Sequence, residues 1–300
     1  MKHCLKLLDL SFEEIESVLD MADQLKFEQK NGIVHHHLKG KTLAMIFQKS
    51  STRTRVSFEV GMFQLGGHAL FLSGNDLQIG RGEPIKDTAR VLGRYCDAIM
   101  IRTFKQSDVE ELAQYSGLPV INGLTDFSHP CQVLADLMTN RETKGYLKGL
   151  TLTYIGDGNN MANSLIVGGL KCGMNVNVAC PKGYEPSQEV LDFALNYPNF
   201  KLTSDCKEAA KGSDVLLSDV WASMGQEQEA AQRKIVFEGY QINDDLLSLA
   251  NKDCMVLHCL PAHRGEEITD EVFESHSEEI FDEAENRLHV QKAILVKVFN

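Results

Sequence analysis

Residues 47–58 read FQKSSTRTRVSF. Ser50, Ser51, Thr52 and Thr54 supply hydroxyls there, and Arg53 and Arg55 supply guanidinium groups. The apolar run TLAMIF (42–47) before them reads as a strand, and the pattern after them reads as a helix beginning near Thr52. The first N–H groups of a helix have no intrahelical partner and carry positive potential. Hydroxyls add donors to them, and guanidinium recognises phosphate-like oxygens with a permanent charge in a fixed fork. The stretch therefore predicts an anion cradle. Two residues apart on a helix means roughly 200° of rotation, so Arg53 and Arg55 cannot both face one small ligand. One is expected to bind the anion and the other to tie the helix to its surroundings. The competing reading is a helix cap with two surface arginines.

Three further groups could do chemistry. In HPCQVLAD (129–136), Pro130 suits the first helical position, which puts His129 at the cap. Gln132, three residues on, shares its face. Together they can donate to a carbonyl oxygen, or they can simply cap the helix. In LHCLPAHR (257–264), Cys259 stands at a strand end beside Pro261 and offers a nucleophile, a base or a ligand. A small buried residue is the plainer alternative. In SDVWASMG (218–225), Asp219 and Ser223 follow a strand and can hold an amine, where the alternative is a solvated loop.

Several resemblances to other motifs fail on mechanism. IGDGNN (155–160) has Met161 where a dinucleotide fingerprint needs its third glycine, and the next strand runs into Cys180-Pro181 rather than an acid, so a nicotinamide cofactor is not expected. HLKGKT (37–42) has His35 in place of the first P-loop glycine, and WASMG (221–225) has Trp221 in place of the first glycine of a nucleophile elbow. The run His35-His36-His37 is expected to be a solvated loop rather than a metal site, because consecutive side chains point apart.

The elements needed to position these groups are legible as alternating patterns. Strands are expected at 42–47, 68–72, 97–101 and 119–122, with helices at 53–65, 84–95 and 107–116 between them. A second series follows, with strands at 150–156, 175–180, 214–219 and 255–260. Alternation of this kind predicts parallel α/β sheets. Two series predict two doubly wound domains, joined near 129–149 by a helix and a glycine-rich turn, with a closing helix at 281–299. Polar groups at the carboxyl ends of the strands would meet in one cleft between the domains.

Composition sets limits. The chain of 300 residues is 43% hydrophobic and 24% charged, ordinary for a globular protein, and its net charge is −12. That surface repels nucleic acid and anionic membrane, so neither is an expected partner, and an anionic ligand needs a local basic site. The N-terminal MKHCLKLLDLSFEEIE turns acidic too early for a secretory signal, and no apolar run reaches a membrane span. The eight cysteines show no C-x-x-C pair, which fits reduced thiols and a cytoplasmic location.

Taken in order, Ser51-Thr52-Arg53-Thr54-Arg55, His129-Pro130-x-Gln132-x-Leu134-Ala135-Asp136, Asp157-Gly158-Asn159-Asn160, Asp219-x-Trp221-x-Ser223-Met224-Gly225 and His258-Cys259-Leu260-Pro261 form a specific combination. It resembles the aspartate/ornithine carbamoyltransferase family from about residue 2 to the final helix, and the SMG and HCLP segments resemble its ornithine branch. The resemblance implies a carbamoyl-phosphate domain at 1–144 and an ornithine domain at 145–300, with a final helix at about 282–300 packing back toward the first. It implies that Ser51, Thr52, Arg53 and Thr54 cradle the phosphate. Arg102, His129, Pro130, Cys131 and Gln132 would complete the carbamoyl-phosphate site with Cys259, Leu260 and Arg287. Gln78 would reach in from a neighbouring subunit. Asn160, Asp219, Ser223 and Met224 would hold ornithine, and Gly225 would serve as a hinge.

The implied reaction passes the carbamoyl group of carbamoyl phosphate to the δ-amine of L-ornithine, giving L-citrulline and phosphate, within arginine metabolism. Arg53, Arg102, His129, Asp219 and Cys259 would carry the catalysis. The resemblance implies no metal, no organic cofactor, and a homotrimer or an assembly of trimers. The rival expectations are transfer to another amine (putrescine, acetylornithine or aspartate), a non-catalytic phosphate-binding module, and a nucleotide-binding oxidoreductase.

Overall fold

The computed structural model describes residues 1–223 and 227–299. The chain divides into two compact units, 1–135 with 286–300 and 136–285.

In the first unit, α1 (Phe12–Lys30) precedes β1 (Thr42–Phe47), α2 (Thr52–Gln64), β2 (His68–Ser73), α3 (Ile85–Tyr95), β3 (Ala98–Arg102), α4 (Gln106–Ser116) and β4 (Val120–Leu124). α1 starts with a reciprocal cap, in which the Glu14 N–H donates to Ser11 Oγ at 3.2 Å and the Ser11 N–H donates to Glu14 Oε2 at 3.0 Å. The four strands are parallel in the order β2-β1-β3-β4. β1 and β3 are buried throughout apart from Thr42, which explains their unbroken apolar runs. Ala44, Ile46, Ile99, Ile101, Val109 and Leu112 form a core that fixes α4 against the sheet.

α5 (Pro130–Lys144) follows, and then β5 (Thr151–Ile155), α6 (Asn160–Lys171), β6 (Asn175–Ala179), α7 (Gln188–Ala194), β7 (Phe200–Thr203), α8 (Cys206–Ala210) and β8 (Val215–Ser218). The second unit continues with α9 (Ala230–Val236), α10 (Asp244–Leu247), β9 (Met255–His258) and α11 (Asp270–Ser275), and α12 (Ser277–Phe299) closes the chain. The unit boundaries fall within α5 and α12. The second sheet is again parallel, in the order β7-β6-β5-β8-β9.

The fold is two α/β domains with parallel sheets, as the alternating patterns predict. Each sheet reverses its strand order once, between β1 and β3 in the first and between β5 and β8 in the second. Such switch points open a crevice at the carboxyl ends of the strands. β7 has no counterpart in the sequence reading. Its four residues, FKLT, have an intermediate-exposed-exposed-intermediate burial pattern at the sheet edge, so no apolar run marks it. α12 begins at Ser277, four residues before the expected start.

The histidine run needs a correction. His36 and His37 are exposed, but His35 is buried. Its Nδ1 lies 3.1 Å from the Ile33 carbonyl and 3.3 Å from Glu28, and its Nε2 lies 3.3 Å from Lys292 Nζ. A tertiary partner 257 residues away, invisible to local patterning, takes His35 out of solvent.

Candidate active site

The first candidate cluster lies at the switch point of the first sheet. β1 and β3 pair Phe47 with Arg102, so the segment after Phe47 and the Arg102 side chain leave the sheet side by side. Ser51 caps α2, its Oγ accepting from the Thr54 N–H at 3.2 Å. Thr54 is fully buried, and its Oγ1 accepts from Arg287 Nη2 at 2.8 Å. Arg53 and Arg55 diverge as helical geometry requires. Arg55 stacks on Phe71 with its guanidinium carbon 3.6 Å from the ring centre, and its Nε donates to Glu59 at 3.1 Å.

His129 stands immediately before α5, and its carbonyl accepts from the N–H groups of Gln132 and Val133 at 3.2 and 3.3 Å. The loop before it is locked by Thr125 and Ser128, which exchange backbone and side-chain bonds. Burial pushes the His129 imidazole well below its ordinary range, and the positive charges of Arg287, Arg102 and Arg53 push it further. A neutral ring can still donate one N–H to a carbonyl oxygen without bringing a fourth cation. Arg102, His129, Gln132 and Arg287 are all buried, so charge placed here is poorly screened by water.

Pro130 opens α5. Cys131 directs its thiol to the Asn122 carbonyl at 3.4 Å, and burial raises it to about 12, so any ligand contact from Cys131 must come from its backbone. Thr52 is exposed at the first turn of α2. Gln78 is exposed at the first position of a short 3-10 turn, Gln78–Arg81.

The second candidate cluster occupies the switch point of the other sheet. After β5, Asn159 caps α6, its Oδ1 accepting from the N–H groups of Met161 and Ala162 at 2.9 and 3.3 Å. Its Nδ2 donates to Asp219 Oδ2 at 2.9 Å, just beyond the end of β8. Asp219 Oδ1 accepts from the Val220 N–H at 2.8 Å and from Cys259 Sγ at 3.0 Å. One carboxylate thus ties together the ends of β5, β8 and β9. Burial raises the Cys259 thiol well above its ordinary value, and the Asp219 charge raises it further, so the sulfur is a protonated donor at neutral pH. Asn160 is buried beside Asn159, and Ser223 is half-buried. Met224 and Gly225 lie outside the described residues.

The glycine of DGNN has a packing purpose. A Cβ on Gly158 would fall 2.3 Å from backbone atoms of Glu185 and Pro186, and the Gly158 N–H donates to the Tyr184 carbonyl at 2.8 Å. Close backbone approach accounts for that residue.

Leu260 adopts the left-handed region with φ of 56°, rare for a branched residue. Its N–H donates to His258 Nδ1 at 2.9 Å. That leaves the other ring nitrogen, Nε2, to donate to Glu267, 3.0 Å away. Glu283 accepts from the His258 N–H at 2.9 Å. The sequence reading quoted Asn159 and His258 within its motifs but gave them no role, and it did not single out Glu267. The available signals were an asparagine directly before a helix start for the first, and a histidine flanking a site cysteine for the second.

Among the described residues, one group has the spacing of a metal site, His263, Glu266 and Glu267. Its carboxylates are already engaged, by Lys234 on Glu266 at 2.6 Å and by His258 and the His263 N–H on Glu267.

The carbamoyl-phosphate-binding domain of the aspartate/ornithine carbamoyltransferases matches residues 2–142, and their Asp/Orn-binding domain matches residues 148–298. An ornithine carbamoyltransferase of Carboxydothermus hydrogenoformans is 59% identical over 296 residues, covering 97% of this chain and 95% of the relative. The solved structure of the Pyrococcus furiosus ornithine carbamoyltransferase superposes with a TM-score of 0.93 at 54% identity, covering 98% of this chain and 96% of that one. The anabolic ornithine carbamoyltransferase of Campylobacter jejuni gives 0.94 at 46% identity, covering 99% of each chain. With both domain types matched in order and relatives aligned over nearly its whole length, the chain belongs to the aspartate/ornithine carbamoyltransferase family.

Proposed function

We infer that the chain is an enzyme that transfers the carbamoyl group of carbamoyl phosphate to the δ-amine of L-ornithine, giving L-citrulline and phosphate. The observation that carries this is identity over nearly the full chain to proteins named for that activity. Transfer to another amine, or phosphate binding without catalysis, is not favoured by those relatives.

We propose the following division of labour. Residues 1–144 bind carbamoyl phosphate and 145–300 bind ornithine. Ser51, Thr52, Arg53 and Thr54 take the phosphate oxygens, supported by Arg102 and Arg287. As the C–O bond to phosphate breaks, charge grows on the leaving oxygen, and fixed guanidinium groups bind it more strongly than in the ground state. His129 and Gln132 donate to the carbonyl oxygen, which becomes an oxyanion as the amine adds. The backbone of Cys131, Cys259 and Leu260, with Pro130, shapes the rest of that site. Asn160, Ser223 and Met224 position the amino-acid end of ornithine.

Asp219 receives the δ-ammonium, orients the amine lone pair and accepts its proton. Cys259, as a protonated donor, holds Asp219 in register. The δ-ammonium first gives up one proton and exposes its lone pair. The δ-nitrogen then forms the new C–N bond as the C–O bond to phosphate breaks, and a second proton leaves the nitrogen, so that two protons pass by way of Asp219 to the departing phosphate and solvent. No electron carrier enters this balance.

The proposal extends to a homotrimer in which Gln78 of one subunit serves a neighbour's site, to a cytoplasmic location, and to a place in arginine metabolism. A citrulline assay with carbamoyl phosphate and, in parallel, ornithine, putrescine, acetylornithine and aspartate tests the reaction. Turnover restricted to ornithine is expected, and preference for a different amine overturns the assignment. Co-assembled Arg53→Ala and Gln78→Ala chains test the subunit claim, since some mixed sites would carry neither lesion. No recovery of activity in verified mixed trimers would refute it.

A further inference from the structure

Arg233, on α9, lies outside every motif of the reaction, yet it is buried. Its Nη1 donates to Asp157 Oδ2 at 2.8 Å and to the Trp221 carbonyl at 2.9 Å, and its Nε donates to Glu229 at 3.2 Å. Its guanidinium carbon lies 5.0 Å from the centre of the Tyr184 ring and 5.9 Å from that of Phe237. Asp157 precedes the α6 cap, three residues before Asn160. Trp221 stands between Asp219 and Ser223. One side chain therefore joins the two segments that carry the proposed ornithine contacts, by way of a neighbour in each.

Burying a guanidinium and a carboxylate is costly, and a surface pair would serve stability as well at less cost. What this arrangement adds is geometry. A planar fork can bond a carboxylate and a carbonyl at once, whereas an ammonium is a single point charge on a flexible stem. The indole of Trp221 is also held, with its Nε1 donating to the Tyr240 carbonyl at 3.3 Å. Burial pushes the Asp157 carboxyl above the usual carboxylate range, and the Arg233 charge opposes that rise. We propose that Arg233 is a positioning residue for ornithine, clamping the Asp157–Asn160 turn to the Asp219–Ser223 segment so that the ornithine contacts of the two segments are held in register. The proposal rests on the ornithine reading of that cluster.

The test uses Arg233→Lys and Asp157→Asn in the full-length enzyme, because removing the guanidinium outright risks the fold. Steady-state kinetics should show KM for ornithine raised on the order of tenfold, with KM for carbamoyl phosphate within about twofold of wild type. Hydrogen exchange supplies a readout that needs no activity. The amides at 159–162 and 220–223 should exchange faster, while those of β5 and β8 keep wild-type rates. Unchanged ornithine KM and unchanged exchange in folded variants would overturn the clamp. So would a parallel rise in both KM values with faster exchange throughout the second unit, which marks a purely structural role. If the wild-type chain makes no citrulline yet the variants loosen at those amides alone, the clamp stands and the ornithine reading falls.

Discussion

The thiol of Cys259 donates to the carboxylate of Asp219 at 3.0 Å, and burial keeps that thiol protonated. A sulfur in this state is neither a nucleophile nor a base at neutral pH. Two outcomes are expected. Iodoacetamide should alkylate Cys259 negligibly at pH 7.5 in the native enzyme, and rapid modification there would refute the assignment. Asp219→Asn should retain carbamoyl-phosphate binding but lose roughly 10²–10⁴-fold in kcat/KM for ornithine, the range of a positioned acid–base group. Wild-type-like ornithine kinetics in that variant would remove Asp219 from the proposed chemistry.

Arg53 and Arg55 should separate function from stability. Arg53→Ala removes a proposed phosphate contact, worth roughly 1.5–3 kcal/mol for a charged hydrogen bond. It should raise KM for carbamoyl phosphate and lower kcat. Arg55 instead packs on Phe71 and pairs with Glu59, both partly exposed contacts. Arg55→Ala should lower unfolding stability by about 1 kcal/mol and leave both KM values near wild type. Loss of turnover in a fully folded Arg55→Ala enzyme would reverse the assignment of the pair.

Much of this architecture was legible because it is local. TLAMIF becomes β1 over the same residues, and the cap at Ser51 follows from a hydroxyl placed before a helical pattern. Pro130 marks the start of α5 for the same kind of reason. Strand order was not legible, since nothing within β1 or β5 records which strand lies beside it. The switch points that bring Arg102 beside Phe47, and Asn159 next to Asp219, emerge only from the sheets. The same limit hid the Arg233–Asp157 pair, whose members lie 76 residues apart, and the burial of His35 by Lys292.

His129 yields a prediction about pH. Its imidazole is held well below 6.5 by burial and by three arginines, while in the unfolded chain it titrates near the ordinary value. Below pH 6.5 the unfolded state gains a proton that the folded state refuses. This group's contribution to stability is therefore present above 6.5 and is lost as the pH falls toward the depressed folded value. In the free enzyme the His129 ring resonances should show no titration between pH 6 and 7. Adding phosphate or carbamoyl phosphate places negative charge among the same guanidinium groups and should raise the midpoint. An imidazole titrating near 6.5 in the free enzyme would contradict the neutral-donor role.

Lys292 is a second group depressed by burial, here a charge away from the reaction. Its side chain is fully buried, and burial pulls its ammonium from 10.5 to about 8, with Glu28 opposing the fall. A shift of that size corresponds to about 3 kcal/mol of penalty on the charged form, at ~1.4 kcal/mol per pH unit. Below pH 8 both folded and unfolded chains hold the proton, and the folded state bears the whole penalty. Between about 8 and 10.5 the folded state releases its proton first, so this group makes stability rise with pH. Lys292→Met keeps the apolar stem and removes the charge, at the cost of the contact to His35 Nε2, worth about 1 kcal/mol. The variant should be more stable than wild type by about 1–2 kcal/mol at pH 7, and the gain should shrink toward pH 10. Urea unfolding at the two pH values measures it. A destabilised Lys292→Met chain whose deficit does not vary with pH would mean that the lysine is held by interactions stronger than its desolvation.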